Sequence, residues 1–250
     1  MTAFYSIYAA IAGLLLGSFY NVVGLRVPLG ESIIRPRSHC TTCQRTLGAS
    51  ELVPFFSYLF LRGACRGCGT KISFLYPLTE MGTALLFVSM PWFIGWSPEL
   101  FVAWALISLL IIICISDLRY MLIPNKVLLV FSVIFLGLRL LLPVDPWWDM
   151  FLGAGVGFAL LLLIAIVSKN GMGGGDIKLF AVLGMVLGWK GVLLAFLLSC
   201  CYGTLIGIVG MLLGKVRRGK PMPFGPAIAL GTLTAYLWGE ALLTWYYQFL

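Results

Sequence analysis

The sequence predicts an all-α polytopic membrane protein with one polar, cysteine-bearing insert. Three observations carry that reading. Of the 250 residues, 61% are hydrophobic and 10% charged, against roughly 45–50% and about 25% in soluble domains. The apolar residues gather into long uninterrupted runs, which only membrane-spanning helices accommodate in such number. The basic residues recur in alternate loops.

Eight stretches read as spans: residues 4–24, 76–96, 99–117, 127–143, 150–168, 177–189, 191–213 and 225–247. The first residues hold no Lys or Arg, so a cleaved signal peptide, which wants a basic start, is not expected. Residues 25–75 hold Arg26, Arg35, Arg37, Arg45, Arg62, Arg66 and Lys71. Later basic loops hold Arg119 and Lys126, then Lys169 and Lys178, then Lys215, Arg217, Arg218 and Lys220. Of the 17 basic residues, that leaves only Arg139 and Lys190 for the opposite side. The positive-inside rule then puts the four basic loops in the cytoplasm and both termini outside. Trp92, Trp96, Trp147 and Trp148 fall at outer ends, where an interfacial aromatic belt sits. The net charge of +8 thus follows topology and points to a lipid bilayer as partner, with no nucleic acid.

Three parts follow: a first transmembrane helix (1–24), a cytoplasmic insert (25–75) and a seven-helix membrane domain (76–250). The insert is too short for a large core and needs a staple. Cys40-Thr-Thr-Cys43 and, 21 residues on, Cys65-Arg-Gly-Cys68 supply one. Paired C-x-x-C knuckles let four thiolates surround a tetrahedral Zn²⁺, and a reducing cytoplasm disfavours disulfides. The expected fold is therefore about eight transmembrane helices with a small cytoplasmic zinc-knuckle insert, its zinc on Cys40, Cys43, Cys65 and Cys68. Cys114, Cys200 and Cys201 lie inside spans and read as packing residues.

The stretch Gly171-Met-Gly173-Gly174-Gly175-Asp176-Ile-Lys178 carries the chemistry. An ionisable residue among apolar spans is costly and points to function. The glycines remove side chains from the approach to Asp176, admit an extended peptide and permit positive φ. The sixth span has only 13 residues, about 20 Å of helix where the hydrocarbon needs about 30 Å. Either the bilayer is thinned there or, the reading we prefer, the span starts below the cytoplasmic surface, with Asp176 at the floor of a wet notch. Asp117, at the cytoplasmic end of the third span, shares the face and depth of Asp176. Two adjoining carboxylates can share a proton; one then activates water while the other polarises a carbonyl. This constellation hydrolyses peptides without a metal or a nucleophilic side chain. Asp176 begins a helix and Asp117 ends one, so the shared proton is expected on Asp117. Lys178, two positions on, faces away from Asp176.

Six motifs in order resemble the bacterial prepilin peptidases, or type IV leader peptidases. They are Gly17-Ser-Phe-Tyr-Asn21-Val-Val-Gly-Leu-Arg26-Val-Pro28, the two cysteine pairs with Glu51-Leu-Val-Pro54 through Arg62 between them, Tyr76-Pro77-Leu-Thr-Glu80, Asp117 through Ile123-Pro124-Asn125, Gly173-Gly-Gly-Asp176-Ile-Lys178 and Pro223-Phe-Gly-Pro226. The resemblance covers nearly the whole chain. It implies an aspartic endopeptidase of the bacterial inner membrane, with Asp117 and Asp176 catalytic and Gly173, Gly174 and Gly175 forming the active-site loop. Its substrates would be prepilins or pseudopilins, cut after the Gly that ends a short basic leader, on the cytoplasmic side. It also implies N-methylation of the new N-terminus from S-adenosylmethionine, placed with the insert and the Asn21–Pro28 region. Glu51 or Glu80 is expected to hold the basic leader. Pro223-Phe-Gly-Pro226 reads as a kinked start to the eighth span. A transporter, suggested by the broken helix and buried Asp, and a non-catalytic assembly scaffold are the rival readings. Solute flux without proteolysis would mark the first, and indifference to loss of either Asp the second.

Overall fold

A computed structural model describes residues 2–168, 173–214 and 222–248. Lys169, Gly171, Met172, Lys215, Arg217, Arg218 and Lys220 of the sequence reading lie outside the described residues. The described residues are all-helical apart from two isolated β-bridges, and the chain divides into two compact units, Met1–Gly95 and Trp96–Leu250. Among the described residues, five helices are long and apolar enough to cross a membrane.

The first unit pairs α1 (Thr2–Arg26) with α3 (Leu75–Ile94). Small residues let the two backbones touch. A Cβ at Gly13 would lie 2.6 Å from the Ala84 Cα, and one at Gly17 would lie 2.8 Å from the Glu80 Cα. Beyond the glycines, buried Asn21 accepts the Thr79 hydroxyl at 2.8 Å and donates to the Tyr76 carbonyl at 3.4 Å. The first motif of the resemblance is thus an interhelical seam of small and hydrogen-bonding residues. Between the helices lies the cysteine insert, with one short helix, α2 (Phe56–Phe60). Phe55 just before it takes a left-handed φ of 62°, and its N–H donates to Glu80 Oε2 at 2.7 Å. Such a backbone is costly for a bulky residue, so the Glu80 hydrogen bond holds the turn in place.

The second unit is built on α4 (Glu99–Tyr120), whose Val102, Leu106, Ile107, Leu109 and Ile115 are fully buried. α5 (Asn125–Leu141) and α8 (Gly225–Tyr247) pack on it, and α7 (Gly174–Leu212) packs on those two and on α6 (Asp149–Val167). The 39 residues of α7 do not form one rod, because Gly188 breaks the helix at φ 69°, ψ 178°. The Phe180 and Phe196 rings lie 5.8 Å apart, whereas sixteen residues of straight helix would separate them by about 24 Å. α7 is therefore a hairpin of two antiparallel arms, residues 174–187 and 189–212. This is where the sequence places its sixth and seventh spans, and the first arm begins three residues earlier than expected.

Glycines also set the α6–α7 contact: a Cβ at Gly153 would lie 2.3 Å from the Gly184 carbonyl oxygen, and one at Gly157 would lie 2.4 Å from that of Phe180. Gly155, by contrast, faces open space. Gly153→Ala should therefore cost about 1–3 kcal/mol, the usual penalty of overpacking, while Gly155→Ala costs almost nothing. Thermal unfolding of the two variants in detergent checks this contrast.

Candidate active site

Both aspartates belong to the second unit, and the chain brings them to one end of it. α4 stops just after Asp117 because Met121 turns left-handed, at φ 54° and ψ 39°, and its N–H returns to the Asp117 carbonyl at 2.9 Å. Leu122 and Ile123 then run to Pro124, and α5 starts at Asn125. This tight connection presses Ile123 on the glycine loop: a Cβ at Gly175 would lie 2.8 Å from the Ile123 Cβ. Asn125 accepts a hydrogen bond from Lys178 Nζ at 3.0 Å. Asp176 sits in the first turn of α7, its N–H on the Gly173 carbonyl at 3.1 Å. The contact of Gly175 with Ile123 sets the turn that carries Asp176 against the connection that follows Asp117.

Asp117 is buried and Asp176 half-buried. Among the described residues neither forms an ion pair, so Arg119 does not neutralise Asp117. Asp117 Oδ2 instead accepts the Gly225 N–H at 2.6 Å, at the start of α8. Gly225 must be small, since a Cβ there would lie 2.9 Å from the Asp117 Cβ. Phe224 beside it packs its ring where a Cβ at Gly203 would stand, 2.6 Å away. Pro223-Phe-Gly-Pro226, which the sequence suggests is only a kinked start, is thus part of the Asp117 environment. Its place just before a span on the aspartates' own face is the signal that could have found it.

The glycines divide their work. Gly175 gives way to Ile123, Gly173 leaves room for the Asp176 carboxylate, and Gly174 faces open space. None of the three takes positive φ; their use is the lack of a side chain, not left-handed backbone.

In the first unit the four cysteines converge, with every Sγ within 4.8 Å of the others. The two halves are built alike. Cys40 N–H bonds the Arg45 carbonyl and Gln44 N–H the Cys40 carbonyl; Cys65 N–H bonds that of Thr70 and Gly69 N–H that of Cys65, all at 2.9–3.0 Å. Gln44 and Gly69, each directly after a second cysteine, both have positive φ. The sequence shows no such repeat, because only the cysteine spacing is shared. Cys40 and Cys68 sulfurs are 3.7 Å apart, and those of Cys43 and Cys65 are 4.0 Å apart. A tetrahedral ion with thiolates at about 2.3 Å would separate them by about 3.8 Å, so the set fits a metal ion. The Thr70 hydroxyl and backbone pull the Cys68 thiol down to about 6, while burial and the neighbouring cysteines push the Cys43 thiol up to about 11. His39 turns to the Arg37 carbonyl at 2.9 Å and stays out of the cluster.

Glu51 pairs with Arg45 and accepts the Gly48 N–H at 2.8 Å. Arg45 holds its carboxyl below the ordinary value. Glu80 is buried under Phe55. Both acids expected to hold a basic leader therefore already have partners inside the insert.

Comparison with known proteins now decides the family. Residues 104–208 match the Type IV leader peptidase family, and residues 11–94 match the Bacterial Peptidase A24 N-terminal domain. The chain belongs to the type IV leader peptidase family. It is 48% identical over 236 residues to the prepilin leader peptidase/N-methyltransferase of Bacillus subtilis, covering 94% of this chain and 95% of that one. Proteins of the same description in Myxococcus xanthus and Aeromonas salmonicida are 38% and 35% identical; they cover 86% and 93% of this chain, and 65% and 90% of their own lengths are matched. No solved structure matches.

Elemental analysis of the purified protein should find one tightly bound divalent metal per chain. Cys40→Ser or Cys68→Ser should remove it, while Cys114→Ser, inside α4, should leave it in place.

Proposed function

We propose that this protein is an aspartic endopeptidase that removes the short basic leader of type IV prepilins or pseudopilins after its terminal Gly. The observation that carries the reading is the convergence of Asp117 and Asp176, from helices far apart in sequence, at one end of an apolar bundle in a chain of this family. One carboxylate takes a proton from water as it attacks, and the other, protonated, donates to the scissile carbonyl; as the tetrahedral intermediate collapses, the first gives the water's proton to the leaving amine and the second regains its own from the hydroxyl. The expectation that Asp117 holds the shared proton rests on its place at the end of α4. Its Gly225 hydrogen bond also puts it at the start of α8, so that ground is gone and the two residues stand on equal footing. The open backbone at Gly174, two residues before Asp176, lets an extended substrate approach the pair.

The same reading places eight crossings in a bacterial inner membrane: α1, α3, α4, α5, α6, both arms of α7, and α8. The basic loops lie in the cytoplasm with the active site, and both termini lie outside. Exposed Trp92, Trp96, Trp147 and Trp148 support an aromatic belt at the outer face. Residues 25–75 form a four-cysteine zinc site that staples the insert. Residues 76–250 form the protease domain. The relatives' names support a second activity, methylation of the newly exposed N-terminal amine, for which S-adenosylmethionine supplies the methyl group. We assign that activity to the insert region and to no individual residue.

The test is cleavage of a purified prepilin in detergent or liposomes. Asp117→Asn and Asp176→Asn should each lower the rate on the order of 10³-fold, the range of general acid–base catalysis, with substrate still bound. A variant that cuts normally would make that Asp structural. A wild type that cuts no prepilin while moving a solute would restore the transporter reading.

A further inference from the structure

At the end of the second unit opposite the aspartates stands a cluster the mechanism does not use. Arg139, which the sequence counts only as a charge on the outer side, is buried, with 7% of its side chain exposed. Its guanidinium grips Glu99 with two bonds, Nη1 to Oε2 and Nη2 to Oε1, each 3.0 Å. Nη2 also donates to the Val186 carbonyl at 2.9 Å. The Tyr236 hydroxyl donates to Glu99 Oε1 at 2.8 Å. One side chain of α5 thereby joins α4, α8 and the last turn of the first arm of α7.

The Val186 carbonyl needs such a donor because Gly188 ends the arm and removes its next helical N–H. Across the break, Asp149 Oδ1 accepts the Trp189 N–H at 3.4 Å. A Cβ at Gly188 would lie 1.9 Å from Asp149 Oδ2, so only glycine fits between. The cation thus meets the C-terminal end of one arm and the anion the N-terminal end of the other, each complementing the helix dipole.

The three helices that meet at Arg139 are those that place the catalytic carboxylates. Glu99 and Asp117 are the two ends of α4, about 27 Å apart. Val186 and Asp176 are separated by about 15 Å of the first α7 arm, and Tyr236 and Gly225 by about 16 Å of α8. At the catalytic end these helices are tied by the Gly225 N–H on Asp117 and by the packing of Gly175 on Ile123. Axial sliding of any of these helices would shift the two carboxylates against each other. A bidentate Arg–carboxylate fork has defined geometry, and it sits where such sliding would be resisted.

We propose that Arg139 is a positioning residue for the peptidase site: through Glu99, Tyr236 and the Val186 carbonyl it sets the axial register of α4, α8 and the first α7 arm, and with it the spacing of Asp117 and Asp176. The inference rests on the peptidase reading above. Misplacement of a reacting group by about 1 Å can cost on the order of 10²-fold in rate, so a distant clamp has leverage over chemistry.

The experiment measures kcat and KM of the full-length protein on a purified prepilin, at a temperature where circular dichroism shows each variant folded. Arg139→Gln should lower kcat on the order of 10²-fold with KM unchanged. Arg139→Lys, which keeps the charge and part of the bonding, should recover some of that loss. Tyr236→Phe should show a smaller fall, again in kcat. An Arg139→Gln protein that melts earlier but keeps kcat within about twofold of wild type would show the cluster to be structural only and overturn the proposal. So would a rise in KM with kcat intact. If Arg139→Gln does not fold, Glu99→Gln and Tyr236→Phe decide by the same split. A wild type that cleaves nothing overturns the peptidase reading itself, whereas a cleaving wild type with an indifferent Arg139 overturns this inference alone.

Discussion

Asp117 keeps a carboxylate buried at the end of an apolar helix, and the start of α8 makes that tolerable. An uncompensated charge in such a place is expensive. Here no cation answers it among the described residues; a backbone N–H does, from Gly225 at 2.6 Å. Much of the second unit follows from that contact. α8 must begin at this spot, its first residue must lack a side chain, and Phe224 must find room, which Gly203 provides. A carboxylate held by backbone is fixed in direction without being neutralised. A salt bridge to Arg119 would have neutralised the same group and consumed it.

Glycine plays a second, separate part in this architecture. In α6 and α7 it lets helices touch backbone to backbone, at Gly153, Gly157 and Gly184. At Gly188 it supplies the one positive-φ residue that folds α7 back on itself. At Gly173–Gly175 it only clears space. The reversal at Gly188 matters most for function, since it makes the arm bearing Asp176 short, with about 21 Å between its ends. Both ends of that arm are engaged within the protein, one by the loop after α4 and the other by Arg139.

The long helices were legible because hydrophobicity is a local property, and the interruption around Gly188-Trp-Lys-Gly191 separated the two arms of α7 even though no proline marks the break. The cysteine cluster was legible from spacing alone, since metal geometry repeats in sequence as C-x-x-C. Asp117 and Asp176 could be paired because few acids share one face. What stayed hidden was long-range partnership. The hydrogen bond from Gly225 to Asp117 crosses 108 residues and the one from Tyr236 to Glu99 crosses 137; neither leaves a local pattern. Arg139 looked like a topological charge because burial of a lone Arg depends on an acid forty positions away. Glu51 and Glu80 looked available for a basic leader because their partners, Arg45 and the strained Phe55 turn, are visible only once the insert is folded.

The central claim is that Asp117 and Asp176 act as one unit. The most direct measurement is a double-mutant cycle on prepilin cleavage with Asp117→Asn, Asp176→Asn and the combined variant. Residues that work together lose their contribution together. The account predicts that the double variant is no slower than the slower single variant. Losses that multiply, so that the double variant falls by the product of the two, would show two independent contributions and contradict a shared catalytic pair.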